Sequence, residues 1–80
     1  MSHFSFTIHV SGIDLGGRYE DVLYEAGCDD ALVSVVDGNL QLDFDREALS
    51  FDAAVGSAVQ NILHAGGRII GVDRAEFAAE

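Results

Sequence analysis

The chain has 80 residues, and its 14 acidic residues against 4 arginines and no lysine give a net charge of −10. A chain of this length forms one domain. So acidic a composition argues against direct binding to DNA, RNA or anionic lipid, each of which requires a cationic surface. Because 49% of the residues are hydrophobic, the chain is expected to fold and not to be a disordered acidic tail.

The single cysteine and the N-terminus indicate where the chain resides. Cys28 cannot form an internal disulfide, which favours a reducing compartment or a buried thiol. Its neighbours Asp29 and Asp30 are expected to raise the pKa of the thiol, so a reactive thiolate is disfavoured. The first residues show no signal peptide, and no apolar run approaches the ~20 residues that span a bilayer. A cytoplasmic protein without membrane contact is therefore predicted.

The chain opens with an alternating run that predicts a strand with one buried and one exposed face. Its apolar side chains are Phe4, Phe6, Ile8 and Val10. After a glycine-rich loop, apolar residues at helical spacing predict a helix over about 18–26. Its apolar positions are Tyr19, Val22, Leu23 and Ala26, and Gly27 suits a left-handed residue that ends it.

Two alternating runs separated by Asp37-Gly38 predict a β-hairpin, because both turn positions favour a positive φ. The runs cover 31–36 and 40–44. In the second run, the apolar even-numbered residues face the core, and Gln41, Asp43 and Asp45 face outward.

A second helix is predicted between Ser50, a good N-cap, and the pair Gly66-Gly67. One face of this helix carries an apolar stripe that is expected to pack on the sheet. Its outward-facing residues are expected to be Asp52, Gly56, Gln60, Asn61 and His64. Residues 68–72 then form the last strand.

This order of elements predicts an α+β fold, a ferredoxin-like βαββαβ sandwich. Its four-stranded antiparallel sheet carries two helices on one face. The expected spatial order of the strands is fourth, first, third, second. Residues 1–74 form this single domain, and residues 75–80 form a frayed or short helical C-terminal tail.

The chemical sites that such a fold often carries are not expected here. An RNA-binding sheet needs exposed aromatic residues, whereas the exposed positions of the first strand hold Ser5, Thr7 and His9. Copper chaperones of this shape carry two cysteines in the first loop. The loop at 11–18 ends in Arg18, but the acidic residues around it oppose a bound phosphate. No catalytic residue, metal or cofactor is predicted.

The carboxylates are the feature that points to a function. Asp43 and Asp45 project from one face of a strand about 6.6–6.8 Å apart, close to the ~6.8 Å that two base steps of a duplex advance. Such a surface is steered to basic clefts that normally hold nucleic acid, although acidity can also serve solubility alone. The candidate partner-binding residues are Asp29, Asp30, Asp37, Asp43, Asp45 and Glu47, with Glu20, Asp21 and Glu25 in support.

Two resemblances bear on these residues. The segments EAGCDDAL (25–32) and LDFDREA (42–48) resemble an uncharacterised bacterial module that usually precedes a helix-turn-helix DNA-binding segment. That family transfers no catalytic residues, and no helix-turn-helix follows in this sequence. In size and charge the chain is also similar to the phage-encoded anti-CRISPR proteins, which implies a protein partner with Lys/Arg-rich grooves.

The leading prediction is a non-enzymatic inhibitor in the bacterial cytoplasm. It would bind a basic nucleic-acid-handling protein, in particular a type I CRISPR effector complex, by mimicking or displacing nucleic acid. The alternative is a sensory or oligomerisation module related to a DNA-binding transcriptional regulator. The chain is expected to be a monomer or a homodimer and to contact no nucleic acid directly.

Overall fold

In a computed structural model, which describes residues 2–74, the six elements follow the predicted order. They are β1 (Ser2–Ser11), α1 (Tyr19–Glu25), β2 (Ala31–Val36), β3 (Asn39–Ala48), α2 (Phe51–His64) and β4 (Arg68–Arg74). The strands form one antiparallel sheet in the order β2-β3-β1-β4. The predicted ferredoxin-like fold and strand order are confirmed. The tail predicted at 75–80 lies outside the described residues.

The core lies between the helices and one face of the sheet, as the alternation predicts. Its strand residues come from the even-numbered positions of β1 and β3, and α2 adds its small and branched residues. The Phe6 and Phe44 rings stack with centroids 5.2 Å apart, and Phe51 meets Phe6 edge-on at 5.8 Å. The most deeply buried side chains are Phe6, Ile8, Val10, Leu23, Leu40, Leu42 and Ile62.

The hairpin and the second helix form where the sequence predicts them. Asp37 and Gly38 have φ of 53° and 81°, and the register pairs Val36 with Asn39. These values fit a two-residue type I′ turn. Ser50 caps α2 by accepting a hydrogen bond at 3.1 Å from the Ala53 backbone N–H.

Helix α1 is shorter than predicted. It spans seven residues, because Arg18 offers no side-chain cap and the left-handed Gly27 (φ 111°) turns the chain shortly after Glu25. Leu23 is the fully buried residue of α1, and Val22, predicted to face the core, is 42% exposed. So short a helix contributes one fully buried residue to the core. No helix within residues 2–74 is both long and apolar enough to cross a membrane.

Candidate functional site

The face of the sheet opposite the helices is the candidate binding surface, and we call it the open face. It is built from odd-numbered residues of β1 and β3 and from one acidic residue of β4. They are His3, Ser5, Thr7, His9, Gln41, Asp43, Asp45, Glu47 and Asp73. The predicted placement of Phe6 and Phe44 on the other, helix-covered side is confirmed.

Three contacts fix the carboxylates of the open face. The Thr7 hydroxyl donates a hydrogen bond to Asp43 at 2.7 Å. His9 Nε2 lies 2.8 Å from an Asp73 carboxylate oxygen. His3 Nδ1 lies 3.3 Å from an Asp45 carboxylate oxygen. The two shorter contacts favour particular rotamers of Asp43 and Asp73, whereas the His3–Asp45 contact is longer and highly exposed and restricts Asp45 less.

The register sets the spacing of these acids. Asp43 and Asp73 are both direct partners of Thr7, from β3 and β4 respectively. With neighbouring strands ~4.8 Å apart, they lie two strand spacings apart, about 10 Å. Along β3, Asp43 and Asp45 are separated by about 6.8 Å. The acids therefore form a two-dimensional array on the open face.

Most of the arginines lie on the other side of the molecule. Arg46 extends into the helix layer, and the Arg74 guanidinium lies 4.0 Å from the centre of the Phe51 ring. Arg18 precedes α1 and pairs with Asp21 at 2.7 Å. Arg68 pairs with Ser11, at the end of β1, about 13 Å along the strand from Thr7. The centre of the open face is consequently negative.

The nine predicted partner-binding acids do not form one surface. Asp43, Asp45 and Glu47 share the open face, whereas Glu20, Asp21 and Glu25 belong to α1 in the helix layer. Asp37 is in the turn of the hairpin, and Asp29 precedes β2. A flat partner that covers the open face would not reach the acids of α1. Sequence reasoning did not include Asp73, which the pairing of β4 with β1 brings to the open face.

Asp30 belongs to a cluster of intramolecular contacts centred on Arg46, which we call the Arg46 cluster. Arg46 Nε and Nη2 donate to the two carboxylate oxygens of Asp30 at 2.7 and 2.8 Å. Its Nη2 also donates to the Gly27 carbonyl at 2.9 Å. Its Nη1 donates to Ser57 at 2.9 Å and to Asn61 at 3.0 Å. The Arg46 side chain is only 11% exposed, so the cluster joins the loop before β2 to β3 and α2.

The Arg46 cluster changes the interpretation of two residues. Asn61, predicted to face solvent, is partly buried and turned toward Arg46 and Gly27. The reason is that Arg46 points into the helix layer and needs acceptors there. The carboxylate of Asp30 is occupied by Arg46, which makes its structural role the principal one.

The Arg46 guanidinium holds the pKa of Asp30 below its usual value of 3.8, chiefly by hydrogen bonding and against the opposing effect of burial. A carboxyl with a lower pKa in the folded state stabilises the fold above its unfolded pKa. This stabilisation is therefore present at neutral pH and is lost as the pH falls below 3.8.

We expect Asp30→Asn to flatten the fall in the free energy of unfolding between neutral pH and pH ~3, because the variant lacks this titrating group. Urea unfolding at a series of pH values measures the slope. Asp29→Asn is the matched control, since it removes the same charge from a neighbour that Arg46 does not contact. Equal slopes for Asp30→Asn and the unmodified protein would contradict the assignment.

Cys28 follows Gly27, whose carbonyl belongs to this cluster, and the residue is buried, with 3% of its surface exposed. Burial is the main cause that raises the pKa of its thiol to about 11, with Asp30 and Asp29 adding to the rise and Arg46 opposing it. The expected direction is confirmed, although burial outweighs the acidic neighbours. The thiol is therefore protonated at neutral pH.

Two further findings bear on what the site can do. Within residues 2–74, no group of three or more His, Cys, Asp or Glu side chains is placed to hold a metal ion. No protein-family model, no curated protein and no solved structure matches the chain.

Proposed function

We propose that this protein is a non-enzymatic inhibitor that binds a basic nucleic-acid-handling protein through the open face. The favoured target is a type I CRISPR effector complex, in the cytoplasm of a bacterial host. The observation that carries the proposal is the array formed by Asp43, Asp45 and Asp73 on a sheet face that no helix of residues 2–74 covers. Bound to a basic groove, such an array would occupy sites that otherwise hold phosphates.

Preorganisation supports this function. Thr7 and His9 already hold Asp43 and Asp73 in the free protein, so binding requires less ordering of side chains than a flexible acidic tail would. The neighbouring strands make the array rigid. A rigid array can match the fixed spacing of Lys and Arg side chains in a groove that tracks a nucleic-acid backbone.

The distribution of charge supports the same surface. Acids without neighbouring arginines occupy the centre of the open face, while Arg18, Arg46 and Arg74 lie in the helix layer. The resulting negative potential accelerates encounter with a basic partner and orients the approach. The open face differs in this respect from α1, where Arg18 pairs with Asp21 and partly neutralises the negative charge.

The test is binding to a purified type I CRISPR effector complex, measured at several salt concentrations and in competition with DNA. We expect the affinity to fall steeply with salt, because the contact is ionic. Asp43→Lys/Asp45→Lys is expected to weaken binding by about 100-fold or more, since like-charge contacts cost several kcal/mol and ~1.4 kcal/mol is tenfold.

The matched control is Glu20→Lys/Glu25→Lys, which changes the net charge equally but on the helix layer. It should weaken binding much less than the variant on the open face. Asp45→Lys/Glu47→Lys, at two exposed positions, repeats the test without disturbing the Thr7 hydrogen bond. Equal losses from the open-face and α1 variants, an affinity independent of salt, or no binding at low salt would each refute the proposal.

A further inference from the structure

The two edges of the sheet differ in how they are protected. The β4 edge carries Arg68, Asp73 and Arg74, and its register with β1 shifts between His9 and Val10. Charged residues and bulges are the usual devices that stop an edge strand from pairing with another chain. The β2 edge has neither: its sequence, ALVSVV, is uncharged and its register with β3 is regular.

The backbone of β2 has a free side that the register identifies. The Asp45 N–H donates to the Asp30 carbonyl at 3.2 Å, and Val36 pairs with Asn39 across the two-residue turn. Because hydrogen-bonded and non-bonded pairs alternate in an antiparallel ladder, the even-numbered residues of β2 bond to β3. The N–H and C=O groups of Ala31, Val33 and Val35 therefore point to the outer edge.

Apolar side chains border this edge on both faces of the sheet. Leu32 is 72% exposed and Val36 is 46% exposed on the open face, and Val35 is 48% exposed on the helix side. Val35 is therefore not covered by the helix layer, although it lies on that side of the sheet. A strand added at this edge would gain backbone hydrogen bonds and would cover apolar surface on both faces.

We propose that β2 pairs with β2 of a second copy of this chain in antiparallel orientation, with Val33 next to the two-fold axis. Ala31 of each copy then faces Val35 of the other, and the outward backbone groups satisfy one another. Two four-stranded sheets become one continuous sheet of eight strands. The contact is isologous, so it closes at a dimer.

Charge favours this place of contact and determines how salt affects it. Each copy carries a net charge of −10, and two copies approach with least repulsion along an uncharged strand. The proposed register brings Asp29 of one copy opposite Asp37 of the other, and both are exposed. Salt screens such repulsion. The dimer must therefore strengthen with salt, which is the opposite of the salt dependence of the proposed inhibitor complex.

The proposed contact is small. Five residues of β2 on each side, 31–35, pair in this register, fewer than the ~20–30 per side of a standard interface, so we expect a weak dimer whose population depends on concentration. The proposal does not rest on the inhibitor function, because the pairing uses the outward backbone groups of β2 and not the carboxylates of the open face, although the two surfaces adjoin where Leu32 pairs with Asp43.

The test is sedimentation equilibrium of the full chain over a range of protein concentrations at low and high salt. We expect a monomer–dimer equilibrium that shifts toward dimer as salt rises. Leu32→Asp should weaken dimerisation at least tenfold, because it places a new charge beside the two-fold axis. Ile70→Asp is the matched control: it adds the same charge at an exposed position of β4 and should weaken dimerisation much less.

A second variant tests the backbone pairing itself. Val35→Pro removes an outward N–H, a change that edge strands accept, and is expected to abolish the dimer. If circular dichroism shows that Val35→Pro does not fold, the comparison of Leu32→Asp with Ile70→Asp tests the proposal instead. A protein that stays monomeric at ~1 mM in high salt, or a dimer that Leu32→Asp and Ile70→Asp weaken equally, would overturn the proposal.

Discussion

Replacing Arg46 with alanine is expected to lower the free energy of unfolding by about 3 kcal/mol. The variant loses its hydrogen bonds to four partners and leaves the Asp30 carboxylate without its cation in a partly buried site. In a domain of this size, ~1 kcal/mol corresponds to a shift of ~4–8 °C in Tm. Thermal and urea unfolding followed by circular dichroism would measure the loss.

The matched control is Arg18→Ala. Arg18 also pairs with an aspartate, Asp21, but the two side chains are 82% and 58% exposed. Exposed pairs contribute little, so this variant is expected to change stability by less than about 1 kcal/mol. Arg46→Lys should recover only part of the loss, because an ammonium group cannot bond both Asp30 oxygens and the other acceptors in one plane. Equal effects of the two alanine variants would contradict the structural role of Arg46.

Two glycine substitutions are expected to act in opposite directions. A Cβ atom at Gly67 would lie 2.8 Å from both Val10 Cγ1 and Ile62 Cγ2, and 3.1 Å from Ile13 Cδ1. Val10 and Ile62 are fully buried and cannot move aside. Gly67→Ala should therefore destabilise the fold by about 2 kcal/mol through overpacking.

Gly56 provides the comparison. It lies within α2 on the exposed side, with no atom within 4 Å of the position of an added Cβ. Alanine is favoured over glycine inside a helix by ~0.8–1.0 kcal/mol, so Gly56→Ala should raise the free energy of unfolding by about that amount. Urea unfolding of both variants measures the difference. A Gly67→Ala variant that is as stable as the unmodified protein would contradict the close packing around Gly67, and a destabilised Gly56→Ala variant would contradict the open surroundings of Gly56.

Local sequence patterns predicted the fold because each pattern reflects one physical requirement of a strand, a turn or a helix. The alternation of β1 identified which residues are buried, and Asp37-Gly38 identified the hairpin turn. The ends of elements were less predictable. Helix α1 is shorter than its apolar spacing suggests, because a helix boundary depends on caps and on tertiary contacts. Similarly, β3 and β4 extend beyond their predicted ends because β1 provides a partner along that length.

The candidate site was predictable only in part. The outward placement of Asp43 and Asp45 follows from the period of a strand, and the structure has both on the open face. Asp73 could not be assigned to the open face from the sequence, because its position depends on the register between β1 and β4. No local sequence pattern contains that register. One available signal was missed: Arg46 has the same parity as Phe44, and the guanidinium lies 5.0 Å from the centre of that ring. A cation on the buried side of a strand requires partners, which here are Asp30 and Asn61.

The reach of Arg46 has a consequence for the order in which the chain acquires structure during synthesis. The loop that ends α1 is held by a side chain 16 to 19 positions later, which in turn depends on α2. Isolated helices shorter than ~12–15 residues are marginal in water, and α1 has seven. Residues 19–30 thus leave the ribosome before the side chain that holds them, and we expect them to become persistently ordered only when Asn61 has also emerged.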